Sequence, residues 1–137
     1  MVNLNDIKKY VLKESKKINA PKDIIPTFDN CIDFGHPNIE IDDNKYCFVI
    51  VERGQELERK STDNLEDLYY WIFDSITTNM AFNYEFKNRN PGEDTRRLAF
   101  SKQLELLEII DKKFVNRKNN EIKKILNENP YNDCPQL

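Results

Sequence analysis

The feature that most constrains this chain is a change of hydrophobic period near residue 60. Between residues 38 and 60 apolar residues alternate with polar ones or run together, as in β-strands. From residue 63 to 127 they recur with the 3.6-residue period of an α-helix. Strands gathered in one stretch and helices in another mean an α+β fold, not βαβ units around a parallel sheet. Within the β stretch, Ile39 and Ile41 alternate with Glu40 and Asp42, and Asp43-Asn44 suits a tight turn. Tyr46-Cys47-Phe48-Val49-Ile50-Val51 is apolar on both faces, as a central strand buried on two sides requires. Arg53-Gly54 turns the chain, and Glu56-Leu57-Glu58-Arg59-Lys60 is polar enough for an edge strand. These residues predict a three-stranded antiparallel meander.

The helices follow from the remaining periodicity. Leu4, Ile7, Val11 and Ile18 form one stripe of a helix over residues 3–18, capped by Asn3 or Asn5 and ended by Asn19 and Pro21. Residues 20–38 hold Pro21, Pro26, Pro37 and Gly35 and read as a connector with one helical turn at Lys22–Ile25. So long a loop is unusual unless part of it packs on the sheet. Residues 63–88 form the longest helix, with Asp63 and Glu66 spaced as a capping box. Leu65, Leu68, Tyr69, Ile72, Ile76 and Met80 make its stripe, and aromatic residues on its other faces mark it as a core helix. Asn90-Pro91-Gly92 breaks it. Helices follow over 94–113, with Leu98, Phe100, Leu104, Leu107, Ile110 and Phe114 inward, and over 116–127, with Ile122, Ile125 and Leu126 inward. Pro130 stops the last, and the tail from Asn132 to Leu137 frays. The expected arrangement is a single domain, 1–137: an N-terminal helix, the meander, then three C-terminal helices packed on the sheet.

A chain of 137 residues is long enough to bury a core without disulfides or metal staples. No stretch of eighteen apolar residues suggests a transmembrane helix, and the opening MVNLNDIKKYVLKESKK lacks the apolar segment of a signal peptide. The expected location is the cytoplasm. Cys31, Cys47 and Cys134 are odd in number and scattered, which reads as three free thiols. Charge is distributed unevenly. Residues 23–44 carry six acids and residues 61–86 five, neither with any Lys or Arg, between basic ends. An acidic middle repels phosphates and attracts a basic protein surface. Neither nucleic acid nor membrane is therefore expected as a direct partner.

The residues offer little for catalysis. His36 is the one histidine, in a Gly-His-Pro loop, with no cysteine at metal-ligand spacing, and it reads as structural. Three glycines, each at a break, leave no phosphate-binding loop. No cofactor is expected. One pattern points to an enzyme. Asp42 or Asp43 followed across the hairpin by Glu58-Arg59-Lys60 has the order of a restriction-type nuclease, where two carboxylates hold Mg²⁺ and a Lys lies beside the attacking water. Such a core also needs a further strand after the long helix, and only helical periodicity follows residue 63. Tyr69, Tyr70, Trp71 and Phe73 could stack bases or sugars, but their helical spacing suits a core better, with Tyr70 the best candidate for an exposed aromatic.

FVIVERGQELERK at residues 48–60, with its Glu52-Arg53-Gly54 turn after an apolar strand, resembles the immunity protein 63 family of bacterial polymorphic-toxin systems. The helix opening Leu65-Glu66-Asp67-Leu68-Tyr69-Tyr70-Trp71-Ile72-Phe73 is similar too, as is the run from Arg96-Arg97 to Leu107, so the resemblance spans about residues 37–127. It implies a protein that binds a cognate toxin domain in the producing cell and carries out no reaction. It supplies no catalytic residue. A basic nuclease toxin would suit the acidic middle. Two groups are then expected to form the contact surface: Glu52, Arg53, Gln55, Glu56 and Glu58 around the turn and edge strand, and Glu66, Tyr70 and Asp74 along one helix face. Glu52 and Arg53 could equally fix the meander on its core. The charged edge strand argues for a monomer or a weak homodimer. The rival readings are the nuclease and a non-enzymatic adaptor subunit.

Overall fold

In the computed structural model, which describes residues 1–134, the chain is α+β, with four α-helices and a four-stranded mixed sheet. It divides into two compact units, Met1–Ile76 and the residues from Thr77 onward.

The first unit begins with α1 (Leu4–Lys17). Asn3 caps it by accepting from Asp6 N at 2.9 Å, and the buried residues Ile7, Val11 and Ile18 fall on the expected stripe. Asn19 ends the helix in the left-handed region (φ 56°). Its N–H donates to Lys16 O and that of Ala20 to Ser15 O, so the last carbonyls are satisfied. A single 3-10 turn, Lys22–Ile24, follows within the connector.

The meander forms as β2 (Pro37–Asp42), β3 (Lys45–Glu52) and β4 (Gln55–Thr62). It is not the whole sheet. A short strand β1 (Thr27–Phe28) pairs in parallel with β2 at Asn38 and Ile39, giving the order β1-β2-β3-β4. Two residues are too few for alternation to show, and the pairing is held by a side chain. Buried Asn38 accepts at Oδ1 from Thr27 Oγ1 (2.9 Å) and from Asn30 N (3.1 Å). Asp43-Asn44 and Arg53-Gly54 are two-residue hairpin loops, and all four residues have positive φ, as the strand twist demands.

β3 is buried at four successive positions, Tyr46 to Val49. On one face of the sheet, Ile39, Tyr46 and Phe48 lie under α1 and the first half of α2 (Leu65–Lys87). There Val2 N donates to Tyr46 Oη at 2.9 Å, and Lys60 Nζ sits about equally over the rings of Phe48 and Trp71, at 5.2 and 5.3 Å. Tyr10 packs on Tyr69 with ring centroids 4.4 Å apart. Asn38, Cys47 and Val49 occupy the opposite face. α2 starts one residue later than the spacing of Asp63 and Glu66 predicts. Asn64, not Asp63, is its cap, accepting from Glu66 N at 2.9 Å, while Thr62 Oγ1 donates to Asp67 at 3.2 Å.

The second unit holds the end of α2 with α3 (Thr95–Ile110) and α4 (Lys112–Glu128). The buried stripe of α3 is Ala99, Gln103, Leu106, Leu107 and Ile110. Leu98, Phe100 and Leu104, predicted to face inward, are only half-buried. The helix is rotated because Gln103 faces inward to donate to Thr77 Oγ1 (3.1 Å) and Thr78 Oγ1 (2.8 Å), and a buried amide is held where its hydrogen bonds are. Where residues 114–115 were expected to separate the helices, the single residue Asp111 divides them. Asp111 is extended (φ −164°) and caps α4 through Lys113 N at 2.9 Å. In α4 Phe114, Lys118 and Ile122 are buried, whereas Ile125 is exposed. The tail does not fray at its start. Asp94 caps α3, pairs with Arg96 at 2.9 Å and accepts from Asn132 N at 2.9 Å. Asp133 accepts from Asp94 N and from Arg97, whose guanidinium lies 4.1 Å from the Tyr131 ring. The expectation for residues 135–137 lies outside the described residues.

Two outcomes follow for the second unit. Gln103→Leu leaves both threonine hydroxyls without the amide, so urea unfolding should show a loss of about 1–3 kcal/mol. The Arg96 guanidinium, with the N–H groups of Asn132 and Arg96, holds the Asp94 carboxyl well below the usual carboxylate range. A depressed pKa contributes stability above the unfolded-state value, which is lost as pH falls toward the folded one. Asp94→Asn should therefore be less stable than wild type at pH 6, and the gap should close below about pH 4 in thermal unfolding.

Candidate functional site

The end of the β3–β4 hairpin gathers most of the exposed groups that the sequence singled out. Glu52, Arg53 and Gln55 flank or form the two-residue loop and are exposed, and Gly54 supplies the left-handed residue the loop requires (φ 73°). The loop is braced from outside the hairpin. Gly54 N donates to Asp33 Oδ2 at 3.1 Å, and Gly35 N donates to Val51 O at 2.8 Å. Both braces come from the connector between β1 and β2, the long loop whose length called for part of it to pack on the sheet.

Glu56 and Glu58 part company. Up to Ile50 the strands pair in one register, Ile50 with Glu58, and then Val51 pairs with Glu56, so Leu57 is an extra residue in β4. In a regular strand Glu56 and Arg59, three residues apart, would point to opposite faces. The bulge brings them to the same one. Arg59 donates to Glu56 at 2.7 Å and to Glu40 on β2 at 2.8 Å, with Asp42 at 3.8 Å. Its guanidinium holds the Glu56 carboxyl below the usual range. This cluster lies on the face turned away from α1. Glu58, paired with Lys60 at 3.3 Å, is on the other face.

That division bears on the nuclease pattern. Asp42 shares a face with Arg59, while Glu58 and Lys60 share the opposite one. The two carboxylates therefore do not converge on one ion. No group of three or more His, Cys, Asp or Glu side chains that could hold a metal occurs among the described residues. His36 Nε2–H donates to Ile25 O at 2.8 Å and ties down the connector. Cys47 is a buried free thiol in β3.

The helix group is not assembled as a surface. Glu66 is exposed in the first turn of α2, Asp74 is half-buried, and Tyr70 is 1% exposed. Tyr70 is thus a core residue and not the exposed aromatic expected. The face that carries Glu66 turns inward one helical turn later, because α2 is apolar nearly all round between Leu68 and Thr77. The exposed aromatics lie elsewhere. Phe34, in the connector, is 88% exposed, the highest value among the large apolar side chains of the described residues, and Ile32 two residues before it is exposed too. Alternation and period could not reveal them. The available signal was a bulky aromatic between Asp33 and Gly35, where a plain linker would be polar.

A model of the family described as Immunity protein 63 matches residues 42–124, more than half of the chain. No curated protein and no solved structure matches it significantly. The matched stretch contains β3, β4, α2, α3 and most of α4, including the Glu52-Arg53-Gly54 turn and the Arg96-Arg97 helix. The chain belongs to the immunity protein 63 family.

Proposed function

We propose that this protein binds and neutralises a cognate toxin domain in the cytoplasm of the cell that makes both, by contact alone and with no catalysis of its own. The observation that carries this reading is the family membership over residues 42–124. The hairpin end supports it physically. Glu52, Arg53, Gln55 and Glu56 are exposed on a loop held by two hydrogen bonds from the connector, so little freedom is lost when they are covered. Glu52 and Glu56, with Glu40 and Asp42 near Arg59, present carboxylates where a basic substrate cleft would otherwise receive phosphates. A basic nuclease fits that charge best.

Self-association is disfavoured. β4 is an edge strand of the sheet, and its charged side chains and bulge oppose pairing with a second copy. The working form is a monomer facing one toxin domain.

Purification of the tagged protein from its own host should bring down the C-terminal domain of a large secreted protein, identified by mass. Recovery of nothing, from cells shown to make the neighbouring toxin, overturns the reading. With that toxin domain in hand, Glu52→Lys combined with Gln55→Lys should weaken binding by about tenfold or more, mainly through slower association. The loss should shrink at high salt while the thermal midpoint stays unchanged.

A further inference from the structure

We propose that the loop at residues 29–36 is the apolar anchor of the toxin interface, with Phe34 seated in an apolar pocket rimmed by basic side chains on the toxin domain. The inference rests on the toxin-binding reading and adds to it a residue and a partner chemistry that the family match, starting at residue 42, does not reach.

Three observations carry it. First, Phe34 is 88% exposed and Ile32 44% exposed, two residues apart on one short loop. Large aromatic side chains dominate the energetics of protein interfaces when they enter a pocket, and solvent gives this one no reason to be there. Second, the loop is rigid by construction. Phe34 has φ 78°, in the left-handed region that side chains larger than Asn seldom enter. It is kept there because Asp33 acts in two directions, accepting at Oδ1 from Phe34 N (2.9 Å) and at Oδ2 from Gly54 N (3.1 Å). Gly35 N donates to Val51 O (2.8 Å), and Asp29 N to Ile39 O (2.8 Å). Asn30 N donates to Asn38 Oδ1 (3.1 Å), so the loop is tied to the sheet at both ends. A side chain presented in this way needs little ordering on binding.

Third, the loop is continuous with the proposed contact surface, and its surroundings define the occupant. Two of the ties run to Val51 and Gly54, which places Phe34 beside the Glu52–Gln55 turn. Asp29, Asp33 and Glu52 are the nearby acids against one cation of the turn, Arg53, and residues 23–44 contain no Lys or Arg. An apolar tip in an acidic setting matches an apolar pocket with a Lys or Arg rim. It does not match an anionic surface such as a membrane or a nucleic acid.

Phe34→Asn tests the assignment, because Asn tolerates positive φ and removes only the aromatic group. Binding to the co-purified toxin domain should weaken about ten- to a hundredfold, mostly through faster dissociation, with the thermal midpoint unchanged or raised. Asp33→Ala, which frees the loop but keeps Phe34, should give a smaller loss. If wild type and Phe34→Asn bind the toxin domain with equal affinity and dissociation rate, the anchor is refuted and the toxin-binding reading stands. If wild type binds no toxin domain, both fall. Equal losses for Phe34→Asn toward the toxin domain and toward anionic vesicles would also refute the proposed pocket.

Discussion

Four successive buried residues in β3 set the terms for the first unit. A strand whose side chains are out of water on both sides must have strand neighbours on both edges and cover on both faces. The hairpins to β2 and β4 meet the first demand with the shortest loops available, two residues each, all at positive φ. α1 and the first half of α2 meet the second demand on one side. There Tyr46 and Phe48 take part in contacts that reach Val2, Lys60 and Trp71. The second unit is governed instead by polar groups kept from water. Gln103 sets which side of α3 faces inward, and Asp94 fixes both the start of α3 and the path of the tail.

The legible part of the fold was the part decided by periodicity over many residues. The meander, the long central helix and the helical C-terminal half all rest on patterns of five or more residues, and they appear where the pattern put them. Local chemistry decided the rest. β1 depends on one buried asparagine, the rotation of α3 on one glutamine, and the break between α3 and α4 on the single extended residue Asp111. Asn38 and Gln103 are ordinary polar residues whose roles appear only when partners 11 to 26 positions away are known, and Asp111 acts locally, on Lys113 N.

The site was legible to a lesser degree. The turn residues Glu52, Arg53 and Gln55 are exposed as a charged hairpin end should be, and the structure adds the connector that braces them. Tyr70 misled because an aromatic on an acidic helix face reads as amphipathic, whereas it is buried together with Leu68, Tyr69, Ile72 and Phe73. Glu56 and Glu58 were grouped only by their nearness to the turn, and the structure adds that one extra residue, Leu57, puts them on opposite faces of the sheet.

That extra residue bears on how a partner can recognise this molecule. Many peptide-binding folds lend an open sheet edge, so that a ligand adds a strand and is gripped by main-chain hydrogen bonds that are indifferent to most side chains. β4 is such an edge by position, yet the bulge interrupts its ladder and exposes Leu57 where a flat strand would be needed. A partner meeting this surface is left to read side chains. Recognition built that way can be rewritten one substitution at a time while the backbone beneath it stays fixed.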